Sequence, residues 1–243
     1  MYVLGIETTG AFASAALIDD DAVLGYVKGT DRFSHLQNLM PQIESIVRES
    51  GVALKDIDVI AVSCGPGSFT GIRIGVSSAR ALSQVLGTPC VTVSSLEALA
   101  LNAVSEAGEA GAAGENVLVC PMLDARRSQV YAGGYFLEDG WPVEKIKAGP
   151  YMLDEFLQKA QSYDSILLMG DATDTYAEKI AELRPEGTET ASPDIKYQDA
   201  VTVARLGAKI YAEKGGLAYN QVEPDYMRIA EAERKLREKQ RKG

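Results

Sequence analysis

Cys64-Gly65-Pro66-Gly67-Ser68-Phe69-Thr70-Gly71 joins the apolar run Val59-Ile60-Ala61-Val62 to a helix predicted over residues 72–86. Pro66 removes a backbone donor and fixes one φ angle, the glycines open conformations that other residues avoid, and Ser68 or Thr70 can cap the next helix. Unpaired amides and the positive end of the helix dipole converge at such a turn, which makes Gly65, Gly67, Ser68 and Thr70 a candidate anion loop. It is not a Walker A loop, because the chain contains no Gly-Lys pair. The dinucleotide fingerprint also fits poorly: Thr70 stands where a third small residue belongs, and the strand at residues 89–93 ends without an acid. The competing reading is a tight strand-to-helix connection.

Glu7-Thr8-Thr9-Gly10 follows the first apolar run, at the place where actin-like and sugar-kinase-like ATPases hold phosphate and metal with an Asp-Gly-Thr-type loop. Glu replaces Asp and the glycine comes later, so an ordinary turn residue is the alternative. Asp124 ends a later apolar run in the same manner. His35 is the only histidine, so neither His-x-x-x-His nor His-Glu-x-x-His can be built from this chain alone, and no metal ligands are assigned. It sits beside the Ser34 cap and reads as structural. Cys64, Cys90 and Cys120 lie in or beside apolar runs without metal-site spacing and read as buried free thiols of a reducing compartment.

These groups need a scaffold. At 243 residues and 46% hydrophobic, the chain can bury a sizeable core. A formal charge of -10 works against independent nucleic-acid binding. The N-terminus lacks the pattern of a signal peptide and no run of about 18 apolar residues occurs, so a cytoplasmic location without membrane contact is expected.

The pattern predicts strands at 1–7, 11–18 and 22–28, a helix from Ser34 to Gly51 that Pro41 either kinks or starts, a strand at 57–63, the helix at 72–86, a strand at 90–93 and a helix at 95–107. A Gly, Ala and Glu-rich stretch at 107–115 breaks the periodicity. The order then restarts with strands at 117–123, 128–137 and 141–147, a helix at 154–160, a strand at 165–169 and helices near 173–183 and 201–214. Two copies of a three-strand meander with crossovers imply a duplicated ribonuclease H-like α/β fold, each lobe with a mixed sheet. The expected division is 1–106, 107–228 and a charged helical tail at 229–243.

On the helix at 72–86, Gly71, Gly75, Ser78, Ala79 and Leu82 share one side, and Arg73, Ser77, Arg80 and Gln84 the other. The small and apolar surface exceeds what one sheet needs, so either another chain or the first helix, with Leu36, Leu39, Met40 and Ile43, packs there.

Leu4-Gly5-Ile6-Glu7-Thr8-Thr9, Ser34-His35 through Pro41-Gln42-Ile43, Gly65 through Gly75, Asp124-Ala125-Arg126-Arg127 with Val130-Tyr131, and Pro224-Asp225-Tyr226-Met227-Arg228 resemble the TsaB (YeaZ) family over nearly the whole chain. The resemblance implies an actin-like ATPase (ASKHA) fold. It also implies a non-catalytic subunit for synthesis of threonylcarbamoyladenosine at tRNA position 37, pairing with TsaD and joined by TsaE. ATP and metal are then expected in partner subunits and no cofactor here, with tRNA reached only through the complex.

TsaD carries a His-x-x-x-His pair after the strand that follows its glycine loop, where this chain has Ser95 and Leu99. The family's pairing surface, in homodimers and with TsaD, is formed by the two N-terminal-lobe helices, which assigns Leu36, Leu39, Met40, Ile43, Gly71, Gly75, Ser78, Ala79 and Leu82 to it. The rival expectations are an actin-fold ATPase or kinase using Glu7, Asp124 and the glycine loop, and a glycoprotease-like metallopeptidase.

Overall fold

The computed structural model describes residues 1–29, 35–104 and 116–227, and the side chains of all of these except residues 35 and 36. The Ser34 cap, the Leu36 side chain, the 107–115 boundary and the 229–243 tail lie outside the described residues.

β1 (Tyr2–Glu7), β2 (Ser14–Asp19) and β3 (Ala22–Lys28) form the antiparallel meander. β4 (Val59–Gly65) and β5 (Cys90–Ser94) extend it in parallel, giving the order β3-β2-β1-β4-β5. In the second half β6 (Leu118–Asp124), β7 (Gln129–Glu138) and β8 (Trp141–Met152) repeat the meander, with β9 (Ile166–Met169) and β10 (Thr188–Thr190) parallel to β6, in the order β10-β9-β6-β7-β8. The two sheets therefore share one connectivity, as the duplicated pattern implies.

Alternation along the strands sets both faces of the first sheet. Leu4, Ile6, Ile60 and Val62 point to one side, against Leu39, Ile43 and Ile46 of α1 (His35–Ser50) and Ile72, Val76 and Ala79 of α2 (Phe69–Leu86). Burial of each such aliphatic side chain contributes about 2 kcal/mol. α1 runs through Pro41 as one helix. α2 begins three residues before its expected start because Ser68 is the cap, its hydroxyl accepting from Gly71 N at 3.3 Å, and it ends at Gly87 in the left-handed conformation.

Val3, Val59 and Ala61 point to the opposite side and are covered by α7 (Ala200–Lys214), through Val203, Ala204 and Leu206. The sequence groups this helix with the second lobe, but it packs on the first sheet. α3 (Ser95–Leu101) is the counterpart: Leu96 and Leu99 pack with Val119, Leu123 and Leu167 of the second sheet, while Ala98 and Leu101 face the first. Asn102 joins the two helices, donating to Ile195 O (3.1 Å) and Tyr197 O (2.7 Å) and accepting from Thr202 Oγ1 (2.8 Å).

On its outer side the second sheet carries α4 (Leu153–Ala160), α5 (Ala172–Thr175) and α6 (Ala177–Leu183), the last two dividing what the sequence reads as one stretch. β8 continues five residues past its expected end at 147, because Gly149, Pro150 and Tyr151 pair with β7 and an edge strand tolerates proline. β10 is too short and polar to show a period. Among the described residues no helix is long and apolar enough to cross a membrane.

α7 approaches the sheet so closely that a Cβ on Gly207 would stand 2.3 Å from Ala61 Cβ. Gly207→Ala is expected to lower stability by about 2 kcal/mol, read as a lower urea midpoint, although alanine is favoured over glycine in a helix by about 1 kcal/mol. An unchanged or raised midpoint would mean that α7 is not held against β4.

Candidate functional site

The carboxyl ends of the central strands of both sheets open into one cleft of about 560 Å³. Thr9, Gly10 and Ala11 after β1 line it with Gly67, Ser68 and Phe69 after β4; opposite them stand Leu123, Asp124, Ala125, Arg126, Tyr131, Asp171, Asp174 and Thr175, with Gln198 between the lobes. Ligand sites of α/β sheets form at such strand ends.

On the first lobe, the glycine loop is clamped by the turn after β1. Ser68 N donates to Thr9 O at 2.8 Å and Thr8 Oγ1 donates to Gly71 O at 2.7 Å. A Cβ on Gly71 would lie 1.9 Å from Thr8 O, so no other residue fits there without a shift of backbone. From the other side the returning segment donates Asp225 N to Cys64 O at 2.8 Å. Of the candidate anion residues, Gly67 and Ser68 line the cleft, Gly65 is buried beneath Asp225, and Thr70 is exposed on the first turn of α2. The Ser68 amide is already used by Thr9.

Glu7 is fully buried and turned back on its own turn. Its Oε1 accepts from Thr9 N, from Thr9 Oγ1 at 2.6 Å and from Gly10 N at 3.3 Å. Oε2 has no partner in hydrogen-bonding geometry among the described residues. Burial pushes its carboxyl pKa up, against the opposing pull of the Thr9 and Ser63 hydroxyls. Glu7 thus caps the turn, and the cleft wall is Thr9 and Gly10.

On the second lobe, Asp124 Oδ1 accepts from Tyr176 OH (2.7 Å) and Arg126 N (2.8 Å), and Oδ2 lies 3.6 Å from the Arg126 guanidinium. Asp171 Oδ1 accepts from Asp124 N at 2.9 Å, and burial together with the Asp124 charge raises its pKa. Asp174 accepts from Lys196 Nζ and from Tyr197 OH (2.6 Å). The sequence reading includes Asp124 but misses Asp171, Asp174 and Gln198. Its available signal was the duplication: Gly170-Asp171 follows β9 as Pro66-Gly67 follows β4. Among the described residues no group of three or more His, Cys, Asp or Glu side chains is arranged to hold a metal ion.

Ser95 and Leu99 are fully buried, Ser95 Oγ lying 2.7 Å from Ser63 Oγ and Leu99 packing in the core between the sheets. The three thiols are free and buried, and burial pushes Cys64 up to about 12. They do no chemistry at the cleft.

The expected pairing residues divide. Leu39, Ile43, Gly71, Gly75 and Ala79 are buried within the chain: Gly71 and Gly75 let α2 approach its own β1–β2 turn, and Leu39, Ile43 and Ala79 fill the core beneath the helices. Ser78 and Leu82 are half-buried, Leu82 against that core. Met40 is 42% exposed, and Val85, absent from the expected set, is 83% exposed.

Two ribonuclease H-like lobes facing each other across a cleft define a protein of the actin-like ATPase fold. Residues 32–235 match the family model of TsaD, tRNA N6-adenosine threonylcarbamoyltransferase. The Bacillus subtilis tRNA threonylcarbamoyladenosine biosynthesis protein TsaB is 31% identical over 242 residues, 99% of this chain and all of its own length. The Escherichia coli protein of the same name is 28% identical over 97% of this chain and 98% of its own. The solved structure of YeaZ from Pseudomonas aeruginosa superposes with a TM-score of 0.76 at 26% identity, covering 93% of this chain and 99% of that one. The chain belongs to the TsaD-related family, in its TsaB (YeaZ) group.

A carboxyl whose folded pKa is raised supports stability fully below its unfolded value, here 4.5, and loses that support as pH rises through the folded pKa. Glu7→Gln cannot ionise. The variant is therefore expected to gain on the natural chain in urea midpoint as pH rises from about 5 to about 8, and parallel pH profiles would contradict the buried, upshifted carboxyl.

Proposed function

We propose that this chain is a non-catalytic subunit of tRNA threonylcarbamoyladenosine synthesis that binds and supports a TsaD protein. The observation that carries the reading is the end-to-end match to proteins named for that pathway. Two features of the chain support the non-catalytic part. Glu7, at the position of a nucleotide-loop acid in related folds, is consumed by its own turn. Ser95 and Leu99, where the resemblance puts the TsaD histidines, are packed core residues, and leucine has no donor atom.

ATP and metal then act in partner subunits, TsaE joins the assembly, and tRNA is held through the complex in the cytoplasm. Docking uses the outer faces of α1 and α2, where Met40 and Val85 leave apolar surface in water while their neighbours Ile43 and Ala79 anchor the helices from beneath. The same faces serve a homodimer when TsaD is absent. Exposed apolar side chains on two adjacent rigid helices suit a desolvated interface core better than a polar loop does.

Reconstituted tRNA modification with TsaD and TsaE is expected to require this chain, and full activity without it would end the reading. Met40→Asp with Val85→Asp, both at exposed positions and so compatible with folding, is expected to weaken TsaD binding at least about tenfold by calorimetry. Unchanged affinity would remove the helices from the interface. Calorimetry of the isolated chain with Mg-ATP is expected to give no saturable heat, and tight Mg-dependent binding would favour the ATPase reading.

A further inference from the structure

After α7 the chain returns over the first lobe as a strap, residues 217–227, whose one regular piece is the single helical turn Tyr219–Gln221. It is held at separate points. Leu217 exchanges two hydrogen bonds with Cys90 at the edge of the first sheet (2.7 and 2.9 Å), Val222 is buried in the core with α1 and α2, and Asp225 N donates to Cys64 O at 2.8 Å. Of these residues only Val222 is fully buried, so the strap is tied by few contacts and opens more readily than the sheet beneath it.

Its last hold is on α2. Phe69 and Tyr226, 42% and 37% exposed, stand with ring centroids 5.0 Å apart. The exposed Arg73 places its guanidinium 4.0 Å from the Phe69 centroid and 5.9 Å from that of Tyr226, and its Nε donates to Tyr226 OH at 3.0 Å. The two terminal nitrogens of that guanidinium have no acceptor among the described residues. Such a planar fork fits a carboxylate through two parallel bonds. Arg73 and Arg80 are the only charged residues of α2, in a chain of net charge -10. Phe69, Arg73, Ser77, Ala81 and Val85 recur every fourth residue and are all exposed, so the clasp on Tyr226 lies on the same stripe as Val85 of the docking face.

We propose that docking of TsaD locks this strap: a carboxylate of the partner takes the two terminal nitrogens of Arg73, while the Nε and the ring contacts of the same side chain hold Tyr226. In the free chain solvent satisfies those nitrogens. A partner that covers the stripe excludes that solvent, and a guanidinium left uncompensated is costly, so the face fits an acidic surface and rejects a basic or wholly apolar one. The lock reaches the glycine loop and the cleft rim, because a Cβ on Gly65 would stand 2.3 Å from Asp225 O and Phe69 lines the cleft. This rests on the reading of the chain as a TsaD-binding subunit.

Hydrogen exchange followed by mass spectrometry on the full chain, with and without TsaD, tests it. In the natural chain TsaD is expected to slow exchange across 217–227 at least about tenfold. Arg73→Gln is expected to bind TsaD at least about tenfold more weakly by calorimetry, and to show no such slowing when saturated. Tyr226→Ala leaves Arg73 in place. It is expected to exchange faster in the free chain and to bind TsaD about tenfold more weakly, since docking must then order the strap and the coupling acts equally in both directions. Exchange across β6 and β7 is the control for folding and is expected to stay unchanged in both variants.

Unchanged or faster exchange of the strap on docking would overturn the proposal, as would natural TsaD affinity in Arg73→Gln. Protection of the strap that appears when the chain pairs with itself, and does not grow with TsaD, would assign the face to a second copy and overturn it too. Met40→Asp with Val85→Asp separates the two readings. If that variant loses TsaD while Arg73→Gln and Tyr226→Ala keep natural affinity, the helix docking stands and the lock falls; if the natural chain does not bind TsaD, the docking reading falls and takes the lock with it.

Discussion

The turn at Thr8 and Thr9 is pressed onto the first turn of α2, and most of the first lobe follows from that contact. Two hydrogen bonds, Ser68 N to Thr9 O and Thr8 Oγ1 to Gly71 O, hold segments that are distant in sequence. They form only because Gly67 and Gly71 present no Cβ to the Thr8 and Thr9 backbone. Glu7 completes the clamp from beneath by taking the donors of Thr9 and Gly10. The amides of Thr9 and Gly10 are thereby satisfied internally, because a buried polar group left unpaired costs more than a bond to it gains. The clamp fixes where α2 begins, and through α2 it fixes which residues of that helix reach solvent.

The lobes are tied by exchange. α3 comes from the first half of the chain and packs mainly into the second sheet, while α7 comes from the second half and covers the first. With Asn102 bonded to three groups of the 195–202 segment, the halves share one polar junction behind the cleft. The cleft opens at the strand ends beside this same segment, with Gln198 on its wall, backbone turns around it and the carboxylates Asp124, Asp171 and Asp174 each already partnered. A site built this way offers shape more readily than a free reactive group.

Much of the fold was legible. Strand alternation at Val3 to Ile6 and Val59 to Val62, the restart of the same order after residue 116, and the Gly65 to Gly71 block gave the duplication and the placement of α2. The reading of the α2 small face was where local information ran out. Spacing shows that Gly71 and Gly75 admit a close neighbour. It does not show that the neighbour is Thr8 of the same chain and not a second protein.

From sequence alone came most of the element order, the buried thiols and the pairing of a glycine loop with a helix cap, because each depends on residue type and short-range period. Only the tertiary structure decided that α7 covers the first sheet, that Glu7 serves its own turn, and that Asp171 and Asp174 stand beside Asp124. These depend on which distant segments meet, and an amphipathic helix or a strand-end acid carries no local record of the surface it will face.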